Sequence, residues 1–260
     1  MPGPPRAGGA RAAMTVEFEE LDYRETPLGA ISLRRRAEPR LAGKIVYEVK
    51  LGDEFLMSSL FTDGETALAR LALGALRGRD LDIVVAGLGL GYTAAAALEY
   101  PCVGSLVVVE VMEAVIDWHR RGLVPLGRQL VEEPRCELVN ADFFALVADG
   151  ARGFHPAGAS RRVDAALVDI DHSPRHWLNA TNSAFYTVSG LGALCRKLRP
   201  GGVFGLWSND PPDSAFMDLL GDVFRSCESH TVSFANPYTG GASASTVYLA
   251  QKDTAGEAQG

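Results

Sequence analysis

Ile83 to Glu110 reads IVVAGLGLGYTAAAALEYPCVGSLVVVE: an apolar run, a glycine turn, an alanine-rich segment and a second apolar run closed by an acid. A parallel strand buried on both faces needs successive apolar side chains, which Ile83 to Ala86 and Leu106 to Val109 supply, and the segment between them suits a crossover helix. The stretch predicts a βαβ unit with a ligand seat. Gly87, Gly89 and Gly91 permit a sharp turn and put no Cβ over the strand tips, although a tight connection alone could also use them. Glu110, 21 residues past Gly89, stands where a second-strand carboxylate accepts hydrogen bonds from a ribose. Tyr92 occupies the position at which a nicotinamide or flavin fingerprint has Gly or Ala, and no G-x-x-x-x-G-K-[ST] occurs. The pattern fits a nucleoside without a pyrophosphate, with S-adenosylmethionine or a relative as the candidate.

At 260 residues and 47% hydrophobic content the chain can bury one sizeable core, and strand-helix alternation points to one α/β domain with a smaller appended element. A net charge of -7 disfavours binding to a nucleic-acid backbone. Cys102, Cys136, Cys195 and Cys227 are far apart and form no C-x-x-C, as expected of a reduced, cytoplasmic protein. No apolar run is long enough to span a membrane, and residues 1–13 lack the apolar centre of a signal peptide. These residues and 253–260 read as disordered tails, with Met14 as an alternative start.

Between the tails, residues 14–62 read as a small antiparallel β element, with segments Val16 to Glu19, Ala30 to Arg35, Lys44 to Lys50 and Glu54 to Met57. Residues 63–252 read as the nucleoside-binding catalytic domain. Thr62-Asp63-Gly64-Glu65 offers a cap and an acidic first turn for a helix running to Leu76. Beyond the central unit the chain predicts a helix at Ala114 to Arg121 and a strand at Cys136 to Val139 ending in Asp142. That acid is placed either to meet an adenine amino group or to cap the helix Phe143 to Ala148. The glycine-rich segment 149–162 reads as a surface loop.

Val163 to Val168 is a fourth strand ending in Asp169-Ile170-Asp171-His172-Ser173-Pro174, where open α/β sheets bind and transform ligands. Asp169, Asp171 and His172 are therefore candidate catalytic residues, against the alternative that Asp171 and Ser173 cap a short helix. His172 and His176 have i, i+4 spacing, but Pro174 interrupts any metal-binding helix, so no metal is expected. A helix at Ser183 to Leu198, a break at Pro200-Gly201-Gly202, a strand at Val203 to Trp207, a helix at Ser214 to Phe224 and two last strands, His230 to Ala235 and Ser245 to Ala250, complete the reading. The fold class is α/β: a Rossmann-like seven-stranded mixed sheet with helices on both faces, plus the N-terminal antiparallel β element.

In this order the pieces resemble the spermidine synthase family of polyamine aminopropyltransferases, within the class I S-adenosylmethionine-dependent methyltransferase-like superfamily. The resemblance spans residues 44–250 and rests on KIVYEVKLGDEFLMSSLFTDGE, AGLGLG, VVVE, PRCELVNAD, VDAALVDIDHSP, AFYTVSGLGALCRKLRPGG and NPYTGG. It implies that Gly87, Gly89 and Gly91 line the nucleoside, Glu110 holds the ribose hydroxyls, Asp142 meets the adenine, Asp169 assists amine deprotonation, and Glu65 and Tyr238 face the substrate. It further implies a transferase that moves an aminopropyl group from decarboxylated S-adenosylmethionine to a small-molecule amine acceptor.

The departures lie on the acceptor side: Leu90 stands where the family's glycine loop carries an Asp, and His172 where its fourth-strand motif has a second acid. A doubly cationic diamine needs carboxylates in a low-dielectric channel, so the acceptor pocket is expected to be atypical, taking a less cationic, more apolar acceptor or binding polyamine weakly. A methyltransferase using S-adenosylmethionine itself, on an unidentified small molecule, and a non-catalytic nucleoside-binding homologue are the other readings. The N-terminal β element, short and with its own edges, predicts a homodimer.

Overall fold

The computed structural model describes residues 18–155 and 162–254. The expected tail 1–13, the start at Met14, the beginning of the first expected strand, the middle of the loop 149–162 and residues 255–260 lie outside the described residues.

Two sheets form. The first is an antiparallel meander of β1 (Phe18–Thr26), β2 (Gly29–Glu38), β3 (Lys44–Leu51) and β4 (Glu54–Ser58) in sequential order. The second has seven strands: β5 (Leu81–Ala86), β6 (Val103–Glu110), β7 (Cys136–Asn140), β8 (Val163–Val168), β9 (Leu198–Ser208), β10 (Ser226–Asn236) and β11 (Gly241–Gln251). Their spatial order is β10-β11-β9-β8-β5-β6-β7. Strands β5 to β9 run parallel to their neighbours, whereas β11 enters antiparallel between β9 and β10. Because β5 is flanked by β6 on one side and β8 on the other, the chain leaves it in opposite directions, and a crevice opens at its carboxyl end.

Every residue of β5 is buried, and its side chains alternate between two cores. Leu81, Ile83 and Val85 face one side with α1 (Asp63–Ala75), α2 (Tyr92–Leu98), α3 (Glu113–Arg120) and α4 (Gly127–Glu132). Val84 and Ala86 face the other with α5 (Phe143–Ala148), α6 (Val188–Lys197) and α7 (Ser214–Gly221). Ile31, Leu33 and Val49 of the small sheet join the first core, so this sheet packs over the α1 and α2 side. Polar bonds add to that packing: Asp22 accepts from the Trp118 indole at 2.7 Å, Arg24 pairs with Asp117, and Arg36 donates to the Tyr238 hydroxyl at 2.7 Å.

Three elements differ from the sequence expectation. The expected helix Ser183 to Leu198 is split into a 3-10 turn, Ala180–Ala184, and α6. The Thr187 hydroxyl accepts from Gly190 N and starts α6 afresh, and Leu198 already belongs to β9. Pro200-Gly201-Gly202 does not precede the strand but lies within it, where pairing with β8 jumps from Val163↔Leu198 to Ala165↔Val203. The short helix α4 had no expectation. Among the described residues, no helix is long and apolar enough to cross a membrane.

Candidate active site

The crevice beside β5 is a cavity whose floor is formed by residues following four parallel strands. Gly87 to Tyr92 follow β5, Glu110 to Met112 close β6, Ala141 to Phe144 follow β7, and Asp169, Ile170 and His172 follow β8. Trp207 of β9 and Glu65 of α1 form one flank, and Leu28, Leu51, Leu56 and Met57 reach over from the small sheet. The structure thus gathers Gly87, Gly89, Gly91, Glu110, Asp142, Asp169, His172 and Glu65 around one space.

The glycine turn is required by the protein itself before any ligand is considered. A Cβ on Gly87, whose φ is +93°, would lie 2.1 Å from the carbonyl oxygen of Asp169. One on Gly91, also at φ +93°, would lie 2.5 Å from Leu130 and 3.0 Å from the His119 ring. Position 89 faces the cavity, with the Met57 sulfur resting on it. His119, fully buried on α3, has Nε2 2.9 Å from the Gly89 carbonyl, and burial lowers its pKa to about 4. The neutral ring donates to that carbonyl and holds the loop in place. A lone histidine on an otherwise apolar helix face was the sequence signal for this role.

Glu110 is buried, with one carboxylate oxygen accepting from Leu88 N and the other from Met112 N, each at 2.9 Å. Burial raises its pKa although these amides oppose the shift. With the amides of Gly89 and Val111 also acting on it, the carboxylate is held firmly at the edge of the cavity. Asp142 caps α5 by accepting from Ala145 N at 3.1 Å and also lines the cavity, so the capping role is observed and the position suits the other role too.

Asp169 and Glu65 form the second acidic centre. Burial raises Asp169 to about 6, opposed by the hydroxyl of the buried Thr93, which donates to it at 2.9 Å. Burial also raises Glu65, to about 8, and repulsion from Asp169 adds to the shift. Burial is the main cause for both carboxyls, and their proximity adds to the shift of Glu65. Gly64 is what lets α1 approach: a Cβ there would fall 2.3 Å from the Trp207 indole nitrogen, so the first helical turn presses on β9 and carries Glu65 with it. Thr93 and Trp207 were not singled out from the sequence; position 93, directly after the glycine turn, was the readable clue to the first.

Other expected residues sit elsewhere. Asp171 does not line the cavity. It is buried and accepts from Leu178 N, Asn182 Nδ2 and the Tyr186 hydroxyl at 2.7, 2.8 and 2.9 Å, which makes it the hub of the loop after β8. Tyr238 lies outside as well: its hydroxyl donates to Glu38 at 2.8 Å and its ring carries the Arg40 guanidinium. His172 is at the rim, its Nε2 2.7 Å from Glu54 of β4, and so ties the loop after β8 to the small sheet. His176 meets Asp210, not His172, and among the described residues no group of three or more His, Cys, Asp or Glu could hold a metal ion.

A Ser-His-Asp cluster outside the cavity has a different meaning from its composition. Ser173 Oγ and Asp210 Oδ2 approach the same atom, Nδ1 of His176, at 3.1 and 3.0 Å. A proton relay needs the two on opposite ring nitrogens, and Ser173 Oγ is occupied accepting from Arg175 N and His176 N. The cluster closes a turn.

No protein-family model matches the chain. Putrescine N-methyltransferase 4 of Nicotiana tabacum is 26% identical over 187 residues, which cover 65% of this chain and 47% of that protein, so the chain spans about half the length of this relative. Spermidine synthase from Thermotoga maritima superposes with a TM-score of 0.68 at 18% identity, over 91% of this chain and 74% of that one. A spermidine synthase in complex with the transition state analogue AdoDATO superposes with a TM-score of 0.69, again at 18% identity and over the same shares. The resemblance to spermidine synthases is therefore one of fold, over most of the chain.

Proposed function

We propose that the chain is a transferase that moves an aminopropyl group from decarboxylated S-adenosylmethionine to an amine. One observation carries this reading: the described lining of the cavity includes four carboxylates, Glu65, Glu110, Asp142 and Asp169, and no Lys or Arg. The decarboxylated donor bears a sulfonium and an ammonium and no carboxylate, so its charge complements these walls. S-adenosylmethionine itself would bring a carboxylate into a space without a fixed cation. The likeness of fold to spermidine synthases supports the same choice.

In this reading Glu110 accepts from the ribose hydroxyls and Asp142 from the adenine amino group. The amine arrives as an ammonium, with a pKa of about 10, and gives one proton to the Asp169–Glu65 pair. Its lone pair attacks the aminopropyl carbon bonded to sulfur. That C–S bond breaks, its electron pair returns to sulfur, and neutral methylthioadenosine leaves while the new C–N bond forms. The pair then releases its proton to solvent. Thr93 is a positioning residue that aims Asp169 at the nitrogen.

Asp169→Asn is expected to lower turnover by about 10³-fold or more while changing methylthioadenosine affinity less than about threefold. Comparable turnover by this variant would remove Asp169 from the chemistry. Methyl transfer to an amine is the second reading, favoured by the N-methyltransferase from Nicotiana tabacum. The two differ in the nucleoside product, methylthioadenosine or S-adenosylhomocysteine, and calorimetry with both separates them. The same proposal places the protein in the cytoplasm, since its four cysteines are free, and pairs it as a homodimer through the edges of the small sheet.

A further inference from the structure

We infer that the acceptor is a monoamine with an apolar tail, its nitrogen held between Glu65 and Asp169 and its tail lying against the small sheet. The inference deepens the transferase reading and rests on it. It starts from where the acids are. A diamine brings a second ammonium, which a poorly solvated wall can hold only with a second carboxylate in reach.

Of the four acids lining the cavity, Glu65 and Asp169 act as one centre. Glu110 ends β6 and Asp142 follows β7, which are two and three strands away from β8. At about 4.8 Å per strand that is roughly 10 and 14 Å across the sheet, at the nucleoside end of the crevice. What the small sheet contributes on the near side is Leu28, Leu51, Leu56, Met57 and the Ser58 hydroxyl. No acid of that sheet is among the described lining, and Glu54 of β4 is paired with His172 at the rim. Leu90, in the glycine turn, adds another apolar side chain, buried and facing the same space. The acceptor end therefore provides one anionic centre and an apolar wall beyond it. An alkylamine or arylalkylamine satisfies both; a second charged end would find neutral polar groups such as Ser58 and Asn182 on the described lining, but no further carboxylate beside the small sheet.

The full chain saturated with methylthioadenosine should be titrated calorimetrically with hexylamine, 2-phenylethylamine and putrescine. The expected result is that at least one monoamine binds about tenfold or more tightly than putrescine. Putrescine binding as tightly as the monoamines, or no amine binding at all to a protein that holds methylthioadenosine, would overturn the inference and leave the nucleoside reading standing. Failure to bind methylthioadenosine would overturn the transferase reading, and this inference with it. Met57→Glu provides a second arm, because it puts a carboxylate on the apolar wall at a half-buried position. In a variant that retains the native circular dichroism, the affinity ratio should move toward putrescine by about tenfold; an unmoved ratio would overturn the placement of the tail.

Discussion

Glu65 stands in the first turn of α1, where helix amides favour a negative charge, yet burial and the nearby Asp169 raise its pKa to about 8. Desolvation outweighs the helix dipole because the helix turn at Gly64 is pressed against Trp207 and Glu65 itself faces the cavity. The folded chain thus keeps a proton between the free value of 4.5 and about 8 that the unfolded chain has released. It must lose stability as pH climbs through that window. Glu65→Gln, which removes the titration, should raise the melting temperature at pH above 8 by several degrees, on the order of 1–3 kcal/mol, with the gain shrinking toward pH 5. A pH-independent gain would mean that the carboxyl is not perturbed in the folded protein. Residue type and position disclosed Asp169 and Glu110 in the sequence, because acids after parallel strands face the crevice. Asp171 shows the limit: two positions from Asp169, it shares every local signal, and only Asn182 and Tyr186, brought in by the following turn, decide that its charge is spent inside the loop.

Among the elements, those pinned by burial on two faces were legible. In β5 all six residues are buried and Ile83 to Ala86 are all apolar, while Ala94, Ala96 and Ala97 of α2 are buried too, so an apolar run and a small-residue helix could be read directly. Helix α4, GRQLVE, buries only Gly127 and Leu130 and presents no period to read. The helix expected over Ser183 to Leu198 failed for a related reason. Hydroxyl and amide side chains at Asn179 and Thr187 bond to nearby backbone N–H groups and start two separate turns. The glycine turn suits both ligand clearance and a tight connection in sequence, and Gly87 and Gly91 chiefly admit the Asp169 backbone and the His119 and Leu130 side chains. Gly91→Ala combines an unfavourable φ with overlap onto Leu130 and should destabilise the protein by about 2–4 kcal/mol, measured as a lower urea midpoint at unchanged m-value.

For the whole molecule, the site is completed only where the two sheets meet, and polar clamps at two places hold them. One joins Asp22 and Arg24 to α3. The other joins β2 to the turn between β10 and β11, where Arg36 first and the Tyr238 hydroxyl next hold the Glu38 carboxyl well below its usual range. Tyr238→Phe should therefore cost about 1 kcal/mol of stability and leave methylthioadenosine affinity and turnover within about twofold. A large loss of turnover at unchanged stability would return Tyr238 to the substrate's side. Such contacts join residues 202 positions apart, and no local pattern in the sequence announces them.

The insertion of β11 between β9 and β10 fixes an order of assembly during synthesis. Strand β10 leaves the ribosome earlier, yet it has no neighbour in the sheet until residues 241–251 have followed it out. Until then the outer edge of β9, with Trp207 on it, remains open to any other nascent chain. A message cut short before that hairpin closes would encode a protein with its cavity almost fully written and a ragged, adhesive flank, a product for quality control to clear.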